Sequence, residues 1–238
     1  LLSGDVFGFH LSAENVFDDL TPLDGELVES QKYYFDAIMS PFKGYVLSAV
    51  DKIRGLGIRV IGPAHGPVLR RQPWEAVRRY EAWASDVRVV NEPKKVYVGY
   101  VSCYGYTRRL AERIAAVAAE AGYGAEMEDV SLASPGACAA KIHAADAFAI
   151  GSPTVNRDAL KPVWDVLTSI SPYVVKGKPA AVFGSFGWSG EAIRYLSERL
   201  RAVGADVLGT CSARLNPDEK ELEEADKLGR LLCEALGK

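Results

Sequence analysis

The sequence predicts an α/β protein whose larger part is a doubly wound, five-stranded parallel sheet. Two observations carry this. From residue 96 onward, apolar stretches of strand length alternate with amphipathic stretches of helix length, and such alternation implies parallel strands joined by right-handed crossovers, with helices on both faces. The composition is that of a globular chain, with 48% hydrophobic and 25% charged residues. At a typical domain length of about 150 residues, 238 residues make one to two domains.

In chain order, residues 96–101 read as a buried strand. Residues 107–121 read as a helix, with Leu110, Ile114, Val117, Ala118 and Ala121 on one face at helical spacing. Strands follow at 125–130 and 147–151, a helix at 160–170, a strand at 179–184, a helix at 191–202 and a fifth strand around 207–209. The last helix is expected to start with Asn216 as N-cap and Pro217 at its first position, with Asp218 and Glu219 facing the positive dipole end. Its apolar face would use Leu222, Ala225, Leu228, Leu232 and Ala235, with Glu223–Lys227 and Asp226–Arg230 as ion pairs on the wet side. A boundary is expected at Asn91-Glu92-Pro93-Lys94-Lys95, dividing residues 1–92 from 93–238. The earlier part reads as helices at 29–39 and 42–56, a strand at 58–61 and a helix opened by Pro73. It shows few strands and no self-contained core, as if it were the tail of a domain.

Several function classes lose their support. The net charge is −3, with no basic run longer than pairs such as Arg70-Arg71, so no nucleic-acid partner is expected. No apolar run approaches the ~20 residues that span a bilayer, so no membrane partner is expected either. Four dispersed cysteines without a CxxC pair suit a reduced, cytoplasmic setting.

In an open parallel sheet, ligands bind beyond the carboxyl ends of the strands where the winding reverses. Three loops lie there: Ser102-Cys103-Tyr104-Gly105-Tyr106-Thr107, then Ser152-Pro153-Thr154-Val155-Asn156, then Ser185-Phe186-Gly187-Trp188-Ser189-Gly190. The first combines hydroxyls, a turn glycine and a helix start, which suits a terminal phosphate or a plain polar cap. Ser102 and Thr107 are its expected hydroxyl donors, and Cys103 would contribute its backbone N–H. The chain has no GxxxxGK[ST] and no GxGxxG, so one phosphate is the better reading. Trp188, set among glycines and serine, needs a flat partner, and an isoalloxazine ring would supply one; the other reading is a ring folded onto the core. Pro153 and Asn156 would meet the remaining ring edge. FMN is the ligand these loops favour.

Residues 96–238 resemble a flavodoxin domain. More specifically, the three loops, with Gly151-Ser152-Pro153-Thr154 and the Gly-Trp-Ser-Gly form, resemble the flavodoxin half of flavodiiron proteins (A-type flavoproteins). Ser3-Gly4-Asp5-Val6-Phe7-Gly8 and Gly62-Pro63-Ala64-His65-Gly66 resemble two metal-binding segments of that family's metallo-β-lactamase-like domain. The resemblance implies strand order 2-1-3-4-5 after an incomplete metallo-β-lactamase-like segment. It also implies a flavin site formed by Ser102, Cys103, Tyr104, Gly105, Tyr106, Thr107, Pro153, Thr154, Val155, Asn156, Ser185, Phe186, Gly187, Trp188, Ser189 and Gly190, with Asp5 and His65 as metal ligands. No catalytic residue is assigned beyond these.

For an intact parent, the resemblance implies reduction of dioxygen or nitric oxide at a di-iron centre, with FMN relaying electrons from a rubredoxin-like or other redox donor in a head-to-tail homodimer. The family's remaining ligands lie in an HxExDH-type motif that this sequence lacks, so Asp5 and His65 alone are expected to hold no stable di-iron centre. The competing expectations are a stand-alone flavodoxin-like carrier, a metal hydrolase of the β-lactamase fold, and a flavin-free doubly wound interaction domain.

Overall fold

The computed structural model describes residues 1–20, 24–85 and 91–237. The chain divides into two compact units, Leu1–Arg88 and Val89–Lys238.

In the first unit, β1 (Leu2–Gly4) is followed by α1 (Asp24–Tyr34), which runs on as a π turn over Phe35–Met39 and a 3-10 turn over Ser40–Phe42 into α2 (Lys43–Ile53). Next come β2 (Gly62–Pro63) and α3 (Pro73–Ser85), with β1 and β2 paired in parallel. The expected strand at 58–61 is therefore misplaced: Ile61 makes only an isolated bridge to Leu69, and the ladder forms one residue later.

The expectation of no self-contained core is overturned. Pro73, Ala76, Val77, Tyr80 and Ala84 form a buried stripe along α3, and it packs with Phe7, Phe9, Phe35, Val46 and Val50. The rings of Phe7 and Phe35 meet Tyr80 edge-on at 5.1 and 5.2 Å. This core was hidden because Phe7 and Phe9 come from a loop, where no periodicity marks burial.

The second unit runs β3 (Lys95–Tyr100), α4 (Tyr106–Glu120), β4 (Gly124–Asp129), α5 (Pro135–Ala144) and β5 (Ala147–Gly151). A hairpin of β6 (Thr154–Val155) and β7 (Asp158–Ala159) follows, then α6 (Lys161–Ser169), α7 (Pro172–Val175), β8 (Pro179–Phe186), α8 (Glu191–Ala202), β9 (Asp206–Arg214) and α9 (Glu219–Leu236). The five-stranded sheet is wholly parallel, in the order β4-β3-β5-β8-β9, which is the expected 2-1-3-4-5. Its central strands are buried on both faces, so they read as unbroken apolar runs. Tyr97, Phe148, Ile150 and Val182 pack on Ile142, Val163, Leu167 and Leu196. Val96, Val98, Ala149 and Phe183 pack on Leu110, Ile114, Leu228 and Leu232 from the other side. Each fully buried aliphatic side chain of this kind contributes about 1.5–3 kcal/mol, as an upper estimate.

Helix α5, the β6–β7 hairpin and the single-turn α7 of this unit escaped the sequence. Helix α5 is rich in small residues, but its start is marked: Ser134 caps it, accepting from the Ala137 N–H at 3.2 Å, and Pro135 opens its first turn. The hairpin β6–β7 is too short for a pattern. The start of α9 also differs. Asp218, not Asn216, is the N-cap, in a reciprocal capping box with Glu221, while Asn216 accepts from the Arg109 guanidinium. The face of α9 buries Leu236 rather than the expected Ala235. The two expected helix-surface pairs are replaced as well. Asp226 takes the Arg113 guanidinium of the neighbouring α4, with Nε at 2.7 Å, in place of a partner on its own helix, and Lys227 pairs within α9 with Glu224 at 2.6 Å, one turn position from the expected Glu223. Among the described residues, no helix is long and apolar enough to cross a membrane.

The end of α5 is tied to the rest of the unit by two side chains. Lys178 Nζ donates to the carbonyls of Ile142 and His143 at 2.9 and 2.8 Å, placing a cation on the negative end of the helix. His143 Nε2 accepts from the Ser171 N–H at 2.9 Å, so the imidazole is held neutral. Burial, and then the Lys178 charge, push the His143 pKa down. The unfolded chain therefore takes up this proton first as pH falls below about 6.5. Denaturant titrations from pH 8 to pH 5 should show stability declining below that value, with a shallower decline in His143→Gln. Equal slopes for the two proteins would remove His143 from the account.

Candidate functional site

The carboxyl edge of the sheet, at the reversal between β3 and β5, gathers the three expected loops. Two features bring them together, one of the backbone and one of side chains. A Cβ on Gly184 would lie 2.2 Å from the Ser152 carbonyl oxygen, so only glycine lets β8 pass this close to the end of β5. Between the outer loops, the Thr107 and Ser185 hydroxyls form a buried hydrogen bond of 2.8 Å.

The first loop turns at Gly105, whose φ of +82° favours glycine. Its N–H groups from Cys103 to Thr107 have no acceptor among the hydrogen bonds of the described residues. Successive unpaired N–H groups at a helix start make an anion cradle. Ser102 Oγ sits beside it, accepting from the Arg108 N–H at 3.3 Å, and Tyr104 stands 82% exposed. Thr107, expected to present its hydroxyl, is instead fully buried against Ser185. Arg108 pairs with Glu112 on the helix surface at 2.8 Å.

The second loop is the β6–β7 hairpin, closed by Asn156 and Arg157 with φ values of +52° and +64°. Ser152 Oγ anchors its base, accepting from the Leu160 N–H at 2.9 Å and donating to the Pro153 carbonyl at 2.8 Å. Asp158 accepts from Trp164 Nε1 at 3.0 Å, and Thr154 Oγ1 accepts from the Ala192 N–H at 3.3 Å. The third loop is held by Leu215, whose N–H donates to the Phe186 carbonyl at 2.8 Å.

Between hairpin and third loop lies a cleft of about 400 Å³, lined by Thr154, Asn156, Arg157, Gly187, Trp188 and Ser189. Trp188 is 97% exposed, so it is not folded onto the core. Pro153, Val155, Ser185, Phe186 and Gly190 shape these loops without lining the cleft. Glu191, in the first turn of α8, holds Arg157 Nε at 3.1 Å. Its carboxyl pKa is lowered, chiefly by backbone N–H donation and the Ser189 hydroxyl, then by Arg157.

The flavodoxin family pattern matches residues 98–229, more than half of the chain. The chain belongs to the flavodoxin family. Over nearly its whole length it also has type A and flavodiiron homologues. It is 35% identical to the type A flavoprotein fprA of Rhodobacter capsulatus, covering 99% of this chain and 54% of the relative. It is 36% identical to the flavo-diiron protein FprA2 of Clostridium acetobutylicum, covering 94% and 57%. Among solved structures it resembles the rubredoxin oxygen:oxidoreductase of Desulfovibrio gigas, with a TM-score of 0.66 and 27% identity over 99% of this chain and 59% of that one. The chain thus spans about half the length of the curated relatives it matches.

Flavodoxin membership together with flavodiiron homology implies FMN as cofactor and a function of oxidoreductase type. The residues fit that group: unpaired N–H donors for one phosphate, and a cleft walled by an exposed indole for a planar ring.

In the first unit, His65 Nε2 and Asp5 Oδ1 lie 3.5 Å apart, both exposed. Tyr34, which sequence reasoning missed, directs its hydroxyl to Asp5; burial, and then the Asp5 charge, push its pKa up to about 12. No group of three or more His, Cys, Asp or Glu side chains suited to a metal occurs among the described residues. Two donors do not fit a dinuclear centre. Arg157 and Glu191 were missed too: Asn156-Arg157 is a weak turn signal, and nothing local tells that an arginine lines a cleft.

Thr107→Val should leave Ser185 Oγ buried without its partner and destabilise the unit by about 1–3 kcal/mol, with Thr107→Ser retaining most of the difference. Urea denaturation measures both; an unchanged midpoint in the valine variant would show that the bond does not hold the loops.

Proposed function

We propose that this chain is the FMN-binding, electron-transferring part of a flavodiiron oxidoreductase that in intact form reduces dioxygen, nitric oxide or both. The cleft between Trp188 and the β6–β7 hairpin, with the cradle at residues 103–107 beside it, carries this reading. Bound FMN would supply one- and two-electron redox chemistry. The chain's own part is to bind and orient. N–H groups from Cys103 to Thr107 and the Ser102 hydroxyl hold the phosphate, Trp188 covers a ring face, and Thr154, Asn156 and Ser189 meet the ring edges.

In this reading residues 1–92 belong to a metallo-β-lactamase-like domain and 93–238 to the flavin domain. Asp5 and His65 would be two members of a larger ligand set, since carboxylate and imidazole suit non-haem iron. The proposal extends to a cytoplasmic setting, a rubredoxin-like or other redox donor, and a head-to-tail dimer of the intact protein, as the relatives' flavodiiron character suggests.

The test is an absorption spectrum of the purified chain, with the released chromophore identified and iron assayed on the same sample. FMN without stoichiometric iron is expected. Two irons per chain would contradict the two-ligand reading, and failure to take up added FMN would contradict the flavin assignment. Trp188→Ala should weaken FMN binding by about fivefold or more, in line with about 1–3 kcal/mol for stacking on an aromatic ring, and should alter the flavin spectrum. Unchanged affinity and spectrum would place the indole off the ring.

A further inference from the structure

Arg157 holds a backbone conformation that suits its residue type poorly. With φ at +64° after Asn156 at +52°, it is the second residue of a two-residue hairpin turn, a position that ordinarily takes glycine. A left-handed arginine costs roughly 1–2 kcal/mol. A turn that only reversed the chain would not keep that cost.

The side chain is braced rather than loose. Its Nε donates to Glu191 Oε1 at 3.1 Å, leaving the two terminal nitrogens without a protein acceptor among the described residues. Glu191 is mostly buried. The acidic residue of the hairpin itself, Asp158, accepts from Trp164 Nε1 and the Ala159 N–H. Arg157 lines the same cleft as Trp188. The result is a cation fixed on one wall and an aromatic ring on the same cavity.

We propose that Arg157, braced by Glu191, sets how strongly the cleft prefers reduced over oxidised flavin. This rests on the FMN reading above. Oxidised isoalloxazine is neutral, whereas the two-electron-reduced ring readily loses a proton and carries negative charge. Of the Arg157–Glu191 pair, the guanidinium is the member that lines the cleft, so the charged form of the ring gains more from it than the neutral form, and a ligand equilibrium shifts only by such differential affinity. The side chain is largely exposed, so the effect is screened and depends on salt.

The experiment compares the unaltered chain with Arg157→Gln and Arg157→Gly, measuring the affinity for oxidised FMN and the two-electron midpoint potential at low and high salt. The glycine variant relaxes the turn while removing the charge, so agreement between the two variants separates charge from backbone strain. In both, affinity for oxidised FMN should fall less than affinity for reduced FMN. Both should favour reduced FMN about tenfold less, a potential about 30 mV more negative, with the difference shrinking at high salt. Arg157→Lys should keep most of the preference. Unchanged potentials in both variants, with FMN still bound, would overturn the role of Arg157 alone; so would an equal loss of affinity for both redox forms. An unaltered chain that binds no FMN would overturn the flavin reading and this proposal together.

Discussion

Burial of both faces of the parallel sheet is the constraint on which the rest of the second unit depends. Tyr97, Phe148 and Val182 face one helical layer and Val96, Ala149 and Phe183 the other, so the central strands have no polar face to offer a ligand. Polar chemistry is displaced to the ends of the strands, and the reversal of winding between β3 and β5 decides which end opens. The approach of Gly184 to the Ser152 carbonyl and the buried Thr107–Ser185 bond then set three loops in one place. The site is thus a product of sheet packing before it is a set of contacts.

The loops divide the work by chemistry. The first offers neutral N–H donors, which suit a phosphate without needing a lysine. The third offers an indole almost wholly in water, an arrangement that loses apolar burial unless something flat covers it. The hairpin offers the remaining wall and a cleft-lining cation, Arg157. In the first unit, Asp5, His65 and Tyr34 form a smaller polar cluster over an aromatic core. Its donor set calls for further ligands before it resembles the centre named in the flavodiiron relatives.

Much of this was legible in the sequence, for identifiable reasons. Strands buried on both faces announce themselves as apolar runs, and α4, α6, α8 and α9 carry clear helical periodicity. The loops at the sheet edge followed from topology and from residue types such as Gly105 and Trp188. What was not legible came from tertiary competition. Asp226 abandons its own helix for Arg113, Asn216 serves Arg109 instead of capping α9, and Thr107 turns its hydroxyl inward to Ser185. The loop-borne aromatics of the first core and the left-handed Arg157 leave no periodic trace at all. Short-range rules see a side chain's neighbours in sequence; these residues are governed by neighbours in space.

The most direct test of the central claim is a paired titration of flavin-free chain with FMN and with riboflavin, followed by quenching of flavin fluorescence. If the cradle at residues 103–107 and the cleft beside Trp188 act together, FMN binds saturably at one per chain, and riboflavin, which lacks the phosphate, binds at least tenfold more weakly. Equal affinity for the two, or no saturable binding of either, would contradict it.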